Sequence, residues 1–406
     1  MAHLPLANLL HHKLRSVLSA LGIALAVCML LTLSGLARGS LYEIADRWDS
    51  VDADLIVYPR VWGDNVATLS GAGLSDREAD DIRGEHGQIL ERIVPVFLWR
   101  VQIARQYHVV VGVDSDGAHW RPLTAGRPLV AGRWCDEGGT AAGWLEREMM
   151  AEGDENDAPL EAGVLERGLA ERGGLEMVID ERLAGASGLG LGDTVRTAGH
   201  DWTVVGITPK GVLARAFIPR RTAQLLFGAG SIRRSTLMFV KLREGVDRQT
   251  AARAVANLRR EVLFVQQYRG MLEQRFGVMF RYVDMVNALA LGIAFLFIMV
   301  TLYTMVLQRT REIAILKSCG ASNAFIVRQV MTESLLLTGA GLALGVGLAF
   351  AAAWGIERLR PLITVTITGE WILIGAAAAV VGAAVSALYP AYRATRVNVS
   401  EALTLE

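Results

Sequence analysis

Cysteine is scarce. The 406-residue chain holds three, Cys28, Cys135 and Cys319, and no Cys-x-x-Cys pair. Three thiols at such distances build neither a disulfide framework nor a zinc or redox motif, so all three read as ordinary buried or surface thiols. Net charge is also missing. The 41 basic residues equal the 41 acidic ones, which leaves no global positive field to attract nucleic acid. No G-x-x-x-x-G-K-[ST] phosphate loop occurs, and glycine-rich stretches such as 185–192 lack the lysine that reaches nucleotide phosphates. ATP is not expected to bind this chain in that way, and any ATP-driven work must draw on another subunit. His86, His108, His119 and His200 are scattered, without His-x-x-x-His spacing. Asp114 and Asp116 precede Gly117, but the rest of a calcium loop is absent. The sequence thus offers no catalytic residue set and no metal site.

What the chain has in excess is apolar sequence. Hydrophobic residues make up 52% and charged residues only 20%, against about 25% charged in ordinary soluble domains. The excess sits in four runs, 17–37, 283–307, 334–354 and 371–389, and only Asp284 among them is charged. Each approaches or exceeds the ~20 residues that cross a bilayer as a helix. The fold class read from this is membrane α-helical, with one span, then a large α/β extracytoplasmic domain over 38–282, then three spans. The first run resembles a cleavable signal peptide in its basic flank, but it is longer than a usual apolar core of such a peptide.

Short basic flanks set the orientation. Lys13 and Arg15 precede the first run, Arg309, Arg311, Lys317 and Arg328 lie between the second and third, and Arg393 and Arg396 follow the fourth. The segment 355–370 carries the weaker cluster Arg358 and Arg360. Both termini and the loop 308–333 are therefore expected in the cytoplasm, with 390–406 as a cytoplasmic tail. Leu6, Leu9, Leu10, Leu14, Val17 and Leu18 recur at helical spacing, so residues 1–16 read as an interfacial helix on the inner leaflet.

Within 38–282, short β-type runs are expected at 54–58, 89–104, 107–113, 195–197, 202–207 and 237–242. Helices are expected at 75–84, with Ser75 as cap and Glu78 at the reciprocal position, and from Asp247 to about Arg260. A tight turn is expected at Gly190 and Gly192. The segment 136–176 holds twelve acidic and three basic residues and reads as a solvated acidic insertion.

The loop after the second run reads Gln308-Arg309-Thr310-Arg311-Glu312-Ile313-Ala314-Ile315-Leu316-Lys317-Ser318-Cys319-Gly320-Ala321-Ser322. It continues a helical pattern, stops at Gly320 and restarts with Ser322 as cap. It serves either as a docking element or as a solvated connector. The resemblance to a family decides between these. TREIAILKSCGAS, Glu333 before the glycine-rich GAGLALGVG, and YPAYRATRVNVSEAL together resemble the MacB/FtsX-type ABC transporter permeases. VIDERLAGASGLGLGDTVRTAGHDWTVVGI is similar to their periplasmic pattern. Ala314, Cys319 and Val399 depart from the commoner residues of those motifs.

That resemblance implies a bacterial inner-membrane subunit without a fused ATPase. It implies a cytoplasmic ABC ATPase dimer as partner, which would hold the ATP and Mg, and a second permease copy. A periplasmic adaptor or substrate-binding partner is a further possibility under it, and nucleic acid is not a partner. Arg311, Glu312, Ile313, Ile315, Leu316, Lys317, Gly320 and Ala321 would form the coupling element on the ATPase. A stalk helix near 262–282 would carry movement outward by mechanotransmission, to export or extract a hydrophobic compound, peptide, lipid or lipoprotein. Spans nearly free of ionisable groups fit this better than a polar transport path. The alternative within the family is an FtsX-like scaffold that activates a cell-wall hydrolase without transport. Gly341 and Gly345 form a small-xxx-small pair suited to close helix packing, including packing against a second copy.

Overall fold

A computed structural model describes residues 13–61, 73–104, 106–135, 144, 167–168, 175–228 and 233–396. The interfacial helix expected over 1–16, the acidic insertion expected over 136–176 and the tail expected over 390–406 fall largely outside the described residues. Two compact units emerge. One is Leu41–Phe276, and the other comprises the chain up to Ser40 and from Gly277.

The first helix, α1 (Lys13–Asp49), runs past the expected boundary at Ala37 for twelve further residues. Its last turns belong to the inserted unit. That unit continues through β1 (Leu55–Pro59), β2 (Leu74–Ser75), α2 (Arg77–His86), β3 (Leu90–Ile103), β4 (Gln106–Val113), α3 (Gly117–Leu123) and β5 (Ala131–Gly132). Beyond the acidic segment come β6 (Leu175–Asp180), α4 (Glu181–Ser187), β7 (Thr194–Thr197), β8 (His200–Thr208), β9 (Ala216–Pro219) and α5 (Arg220–Phe227). It ends with β10 (Arg234–Ser235), β11 (Leu237–Leu242), α6 (Arg248–Val255), β12 (Arg260–Phe264), a 3-10 turn and α7 (Tyr268–Arg275).

The main sheet runs β12-β1-β11-β3-β4-β9-β6-β8-β5, with β7 paired to β8. Its organising element is β3, fourteen residues long. Leu90 to Val96 pair antiparallel with β11, while Phe97 to Ile103 pair antiparallel with β4. One strand thus belongs to two half-sheets. In the first half, Leu55, Val57, Ile93, Met238 and Val240 pack with Ala79, Ile82, Ala251 and Val255 of α2 and α6. Ile56 and Phe239 are also buried, and Trp48 lies 5.6 Å from Phe239 and stacks on Tyr268 at 4.0 Å. Both sides of β1 are covered, which explains why LIVYP is apolar throughout rather than alternating. In the second half, β4 and β9 are parallel, as are β6 and β8, around buried Trp202 and Phe217.

Four local expectations change. Ser75 lies in β2 and does not cap α2, which starts after Asp76 without a side-chain cap. The Asp76 carboxylate is taken by Arg220, Arg221 and Ser235, and Glu78 binds Arg260 at 2.8 Å. The helix expected to run to Arg260 ends at Val255, because Arg260 enters β12 opposite Pro59. The stalk helix expected over 262–282 is not continuous. Residues up to Phe264 pair with β1, α7 covers only Tyr268–Arg275, and Phe276 breaks it from the next helix. The acidic insertion stops short of Leu175 and Glu176, which lie buried in β6, and Glu176 takes a paired contact from Arg133. The turn at Gly190 and Gly192 is present, with Gly192 at φ +85 and the Gly190 N–H donating to Asp193 at 2.7 Å.

The second unit adds α8 (Gly277–Gln308), α9 (Thr310–Ser318), α10 (Asn323–Leu359) and α11 (Gly369–Thr395). Among the described residues, α1, α8, α10 and α11 are the four helices long and apolar enough to cross a membrane. They extend beyond the apolar runs that announced them, because helical pairing does not stop where hydropathy does. Small residues set their packing. A Cβ on Gly341 would meet Ile23 Cβ at 2.7 Å, and one on Gly345 would meet Ala24 O and Val27 Cβ at 2.8 Å. These two glycines therefore seat α10 on α1 of the same chain. Gly382 of α11 receives the Phe295 ring of α8. Polar contacts join these helices, among them Ser19 with Thr301 at 2.7 Å, Asn287 with Ser34 at 2.9 Å, and Asp284 with Arg38 at 3.2 Å. The Arg38 guanidinium also lies over the Phe280 and Trp371 rings.

Candidate coupling site

The break between α8 and α9 is a single residue. Arg309 leaves helical geometry (φ −106, ψ 17), and α9 restarts at Thr310, whose hydroxyl donates to Leu307 O at 2.6 Å. At the other end Gly320 sits at φ +89, and the Gly320 and Ala321 N–H groups close the helix on Lys317 O and Leu316 O. This is the glycine-terminated helix end that the sequence announces. Ser322 then accepts the Phe325 N–H at 3.2 Å and starts α10.

The helical period divides the expected coupling residues into two groups. Arg311, Glu312, Ile315 and Gly320 are exposed, with the Glu312 side chain 70% accessible and Ile315 48% accessible. Ile313 packs inward with Val306, Ile326, Val330, Ala391 and Ala394. Leu316 and Ala321 are half-buried, and Lys317 Nζ donates to Thr395 O at 2.5 Å. Ala314 is fully buried. An alanine at that position lets α9 lie close to its neighbours.

Sequence reasoning passed over three residues of this region. Phe325 is 43% exposed at the start of α10 and adds an apolar side chain near the outward set. Arg309, counted only for its charge, places its guanidinium 3.4 Å from Glu333 and 3.8 Å from Glu312. Glu333, known only as a motif position, is buried on α10. The available signal was a carboxylate at the edge of an apolar run, where an unpaired charge is expensive.

Two of the buried charge clusters in the described part of the inserted unit are centred on Arg220 and on Glu43, and neither has the form of a catalytic site. Arg220 binds Asp114 at 2.8 Å and Asp76 at 2.6 Å. Burial alone would raise the Asp76 carboxyl, but Arg220 and Arg221 outweigh it and hold it below the usual range. The same two carboxylates keep Arg220 firmly charged against its own burial. Asp114 is thereby committed to an ion pair, and Asp116 caps α3 through the His119 N–H at 2.8 Å. The second cluster gathers Glu43, Arg47, Asp180, Arg182 and Arg215, with Glu43 2.9 to 3.0 Å from three of the arginines. Burial pushes the Asp180 carboxyl up while it caps α4 through the Leu183 N–H. Burial, with Arg215 and Arg47 nearby, lowers His108 to about 4.

Comparison with known proteins accords with this architecture. Residues 16–258 match the MacB-like periplasmic core domain, and residues 285–399 match the FtsX-like permease C-terminal domain. The macrolide export ATP-binding/permease protein MacB of Neisseria gonorrhoeae is 23% identical over 422 residues, covering 97% of this chain and 59% of its own length. The chain therefore spans somewhat over half the length of that relative. The ABC transporter permease YtrF of Bacillus subtilis is 26% identical over 243 residues, covering 53% of this chain and 55% of its own. Among solved structures, the periplasmic region of MacB from Actinobacillus actinomycetemcomitans aligns over 55% of this chain and 95% of its own, at 13% identity and a TM-score of 0.34. The extracellular domain of the transporter YknZ aligns over 52% of this chain at a TM-score of 0.32. An α/β domain inserted after the first of four membrane-type helices, with both family regions in sequence order, places the chain in the MacB/FtsX-type family of multi-pass ABC transporter permeases.

Proposed function

We propose that this permease works by mechanotransmission. A separate cytoplasmic ABC ATPase docks on α9 and supplies the ATP and Mg chemistry, and its stroke is passed to the inserted domain on the outer side of the inner membrane. The substrate is a hydrophobic compound, peptide, lipid or lipoprotein taken up on that side. Both termini and the α8–α10 connection face the cytoplasm in this reading, in line with the Lys/Arg distribution. A second copy of the chain completes the complex.

One observation carries the reading. A nine-residue helix stands between two long apolar helices, presents Arg311, Glu312 and Ile315 outward, and is packed from behind on the ends of α8, α10 and α11. A mere connector needs charge but not a built helix with an apolar underside. The spans offer no chain of ionisable groups along which a polar solute would pass.

The test is gentle solubilisation of the tagged chain, with identification of bound proteins by mass spectrometry. A stoichiometric ATP-binding subunit, lost when Arg311 and Glu312 are both altered, supports the reading. Recovery of a periplasmic cell-wall hydrolase with no ATPase would replace it with an anchoring or scaffold role. In the native complex, Glu312→Lys should separate ATP hydrolysis from transport while membrane insertion is retained. Unchanged transport in that variant would argue against docking through α9.

A further inference from the structure

The pair Arg309–Glu333 lies behind the outward face of α9, with Arg309 also 3.8 Å from Glu312 of that face. Only Arg309 separates α8 from α9, and no side chain caps the new helix there. A one-residue break of this kind is a natural bending point, yet the side chain of the breaking residue is not free. Its guanidinium is 12% accessible and reaches the 7% accessible carboxylate of Glu333, nearly three turns into α10, at 3.4 Å. The groove around the pair is otherwise largely apolar, with Met305, Val306, Ile313, Ile326 and Val330 in its walls. At the far end of α9, Lys317 is tied to the carbonyl of Thr395 on α11. The short helix is thus fixed at its first turn to α10 and at its last turn to α11.

An ion pair in such surroundings adds little stability over apolar side chains of the same volume, and its best-attested use is to fix one arrangement among several. Apolar contacts allow an elbow to slide over its neighbours, whereas a charge pair in a low-dielectric groove has one geometry that satisfies both groups.

We propose that Glu333 is a positioning residue for coupling: paired with Arg309, it pins the elbow helix α9 to the third membrane helix α10, so that the two move as one body when α9 is loaded. This rests on the reading of α9 as the docking helix. The load path then enters α10 and α11 directly, and α8 follows through its packing rather than through the bend at Arg309.

The experiment uses the full chain with its ATPase in lipid nanodiscs. One spin label sits on the native exposed Cys319 and a second on Leu344→Cys of α10, with Cys28 and Cys135 replaced by alanine. Distances are recorded with and without a non-hydrolysable ATP analogue. The native chain should give one narrow distribution that does not shift with nucleotide. Glu333→Gln should lose that narrow distribution and gain a nucleotide-dependent shift, while ATP turnover by the bound ATPase persists. The exchanged pair Arg309→Glu with Glu333→Arg should restore it. If Glu333→Gln does not accumulate, Arg309→Met with Glu333→Met, which leaves no charge buried, carries the same expectation. A narrow, nucleotide-insensitive distribution in the variant, or a shifting distance in the native chain, would overturn the inference while leaving docking intact. If the native preparation binds no ATPase at all, the docking reading itself fails and the inference falls with it.

Discussion

At the scale of single residues, two positions make the physics measurable. His108 is buried, with Nε2 unpartnered, beside Arg215 and Arg47. Its folded value of about 4 lies below the ordinary 6.5, so the folded state binds fewer protons than the unfolded one. Stability therefore falls as pH drops from about 6.5 towards 4. His108→Leu should flatten that part of the profile of melting temperature against pH. An unchanged slope would mean that other groups dominate it. Gly341 is the second position. Gly341→Val pushes against Ala20 O and Ile23 and should destabilise the helix bundle by about 1–3 kcal/mol. Gly339→Val, at a site with nothing within 4 Å, should leave melting in detergent nearly unchanged.

At the scale of elements, Arg220 is the joint of the inserted domain. It starts α5 and holds Asp76 before α2, Asp114 after β4 and Ser235 of β10. Arg220→Leu strands two partly buried carboxylates, and a loss of about 3–5 kcal/mol is expected, read as a lower melting temperature and faster proteolysis. Asp114→Asn, which leaves Arg220 paired with Asp76, should cost less. None of these pairings was legible in the sequence, because the partners are 106 and 144 residues apart and a lone charge in a loop carries no mark of its partner. The same limit explains the stalk and Ser75. Residues 260–264 have a pattern that suits either helix or strand, and the choice fell to β1, which needed an antiparallel neighbour on that side. Ser75 met a capping pattern, but pairing with Arg234 in the two-stranded sheet took precedence.

At the scale of the whole chain, the membrane helices were legible because long apolar runs leave few alternatives, and the far end of the elbow because Gly320 and Ser322 mark where α9 stops and α10 starts; its near end was not, because nothing in the local sequence marks Arg309 as a break in a pattern that otherwise continues α8. The strand order was not, since the parallel pairing of β4 with β9 joins segments more than a hundred residues apart. The orientation proposed from the basic flanks has a direct check in native cysteines. Cys319 is exposed and Cys135 buried, so a membrane-impermeant maleimide should reach Cys319 in inverted vesicles but not in intact spheroplasts. Leu258→Cys, 89% accessible in the inserted domain, should show the reverse. Labelling of both from one side would refute the topology.

Strand β3 also bears on how a domain of this kind can change over time. Because its first seven residues answer to β11 and its last seven to β4, its length is a shared measure for both half-sheets. One residue added between Val96 and Phe97 would turn the second half over, exposing what is now core. Two residues would restore the faces and merely move the halves apart. Lengthening at this seam is therefore open in even steps and closed in odd ones, whereas surface loops elsewhere in the domain accept insertions of any size.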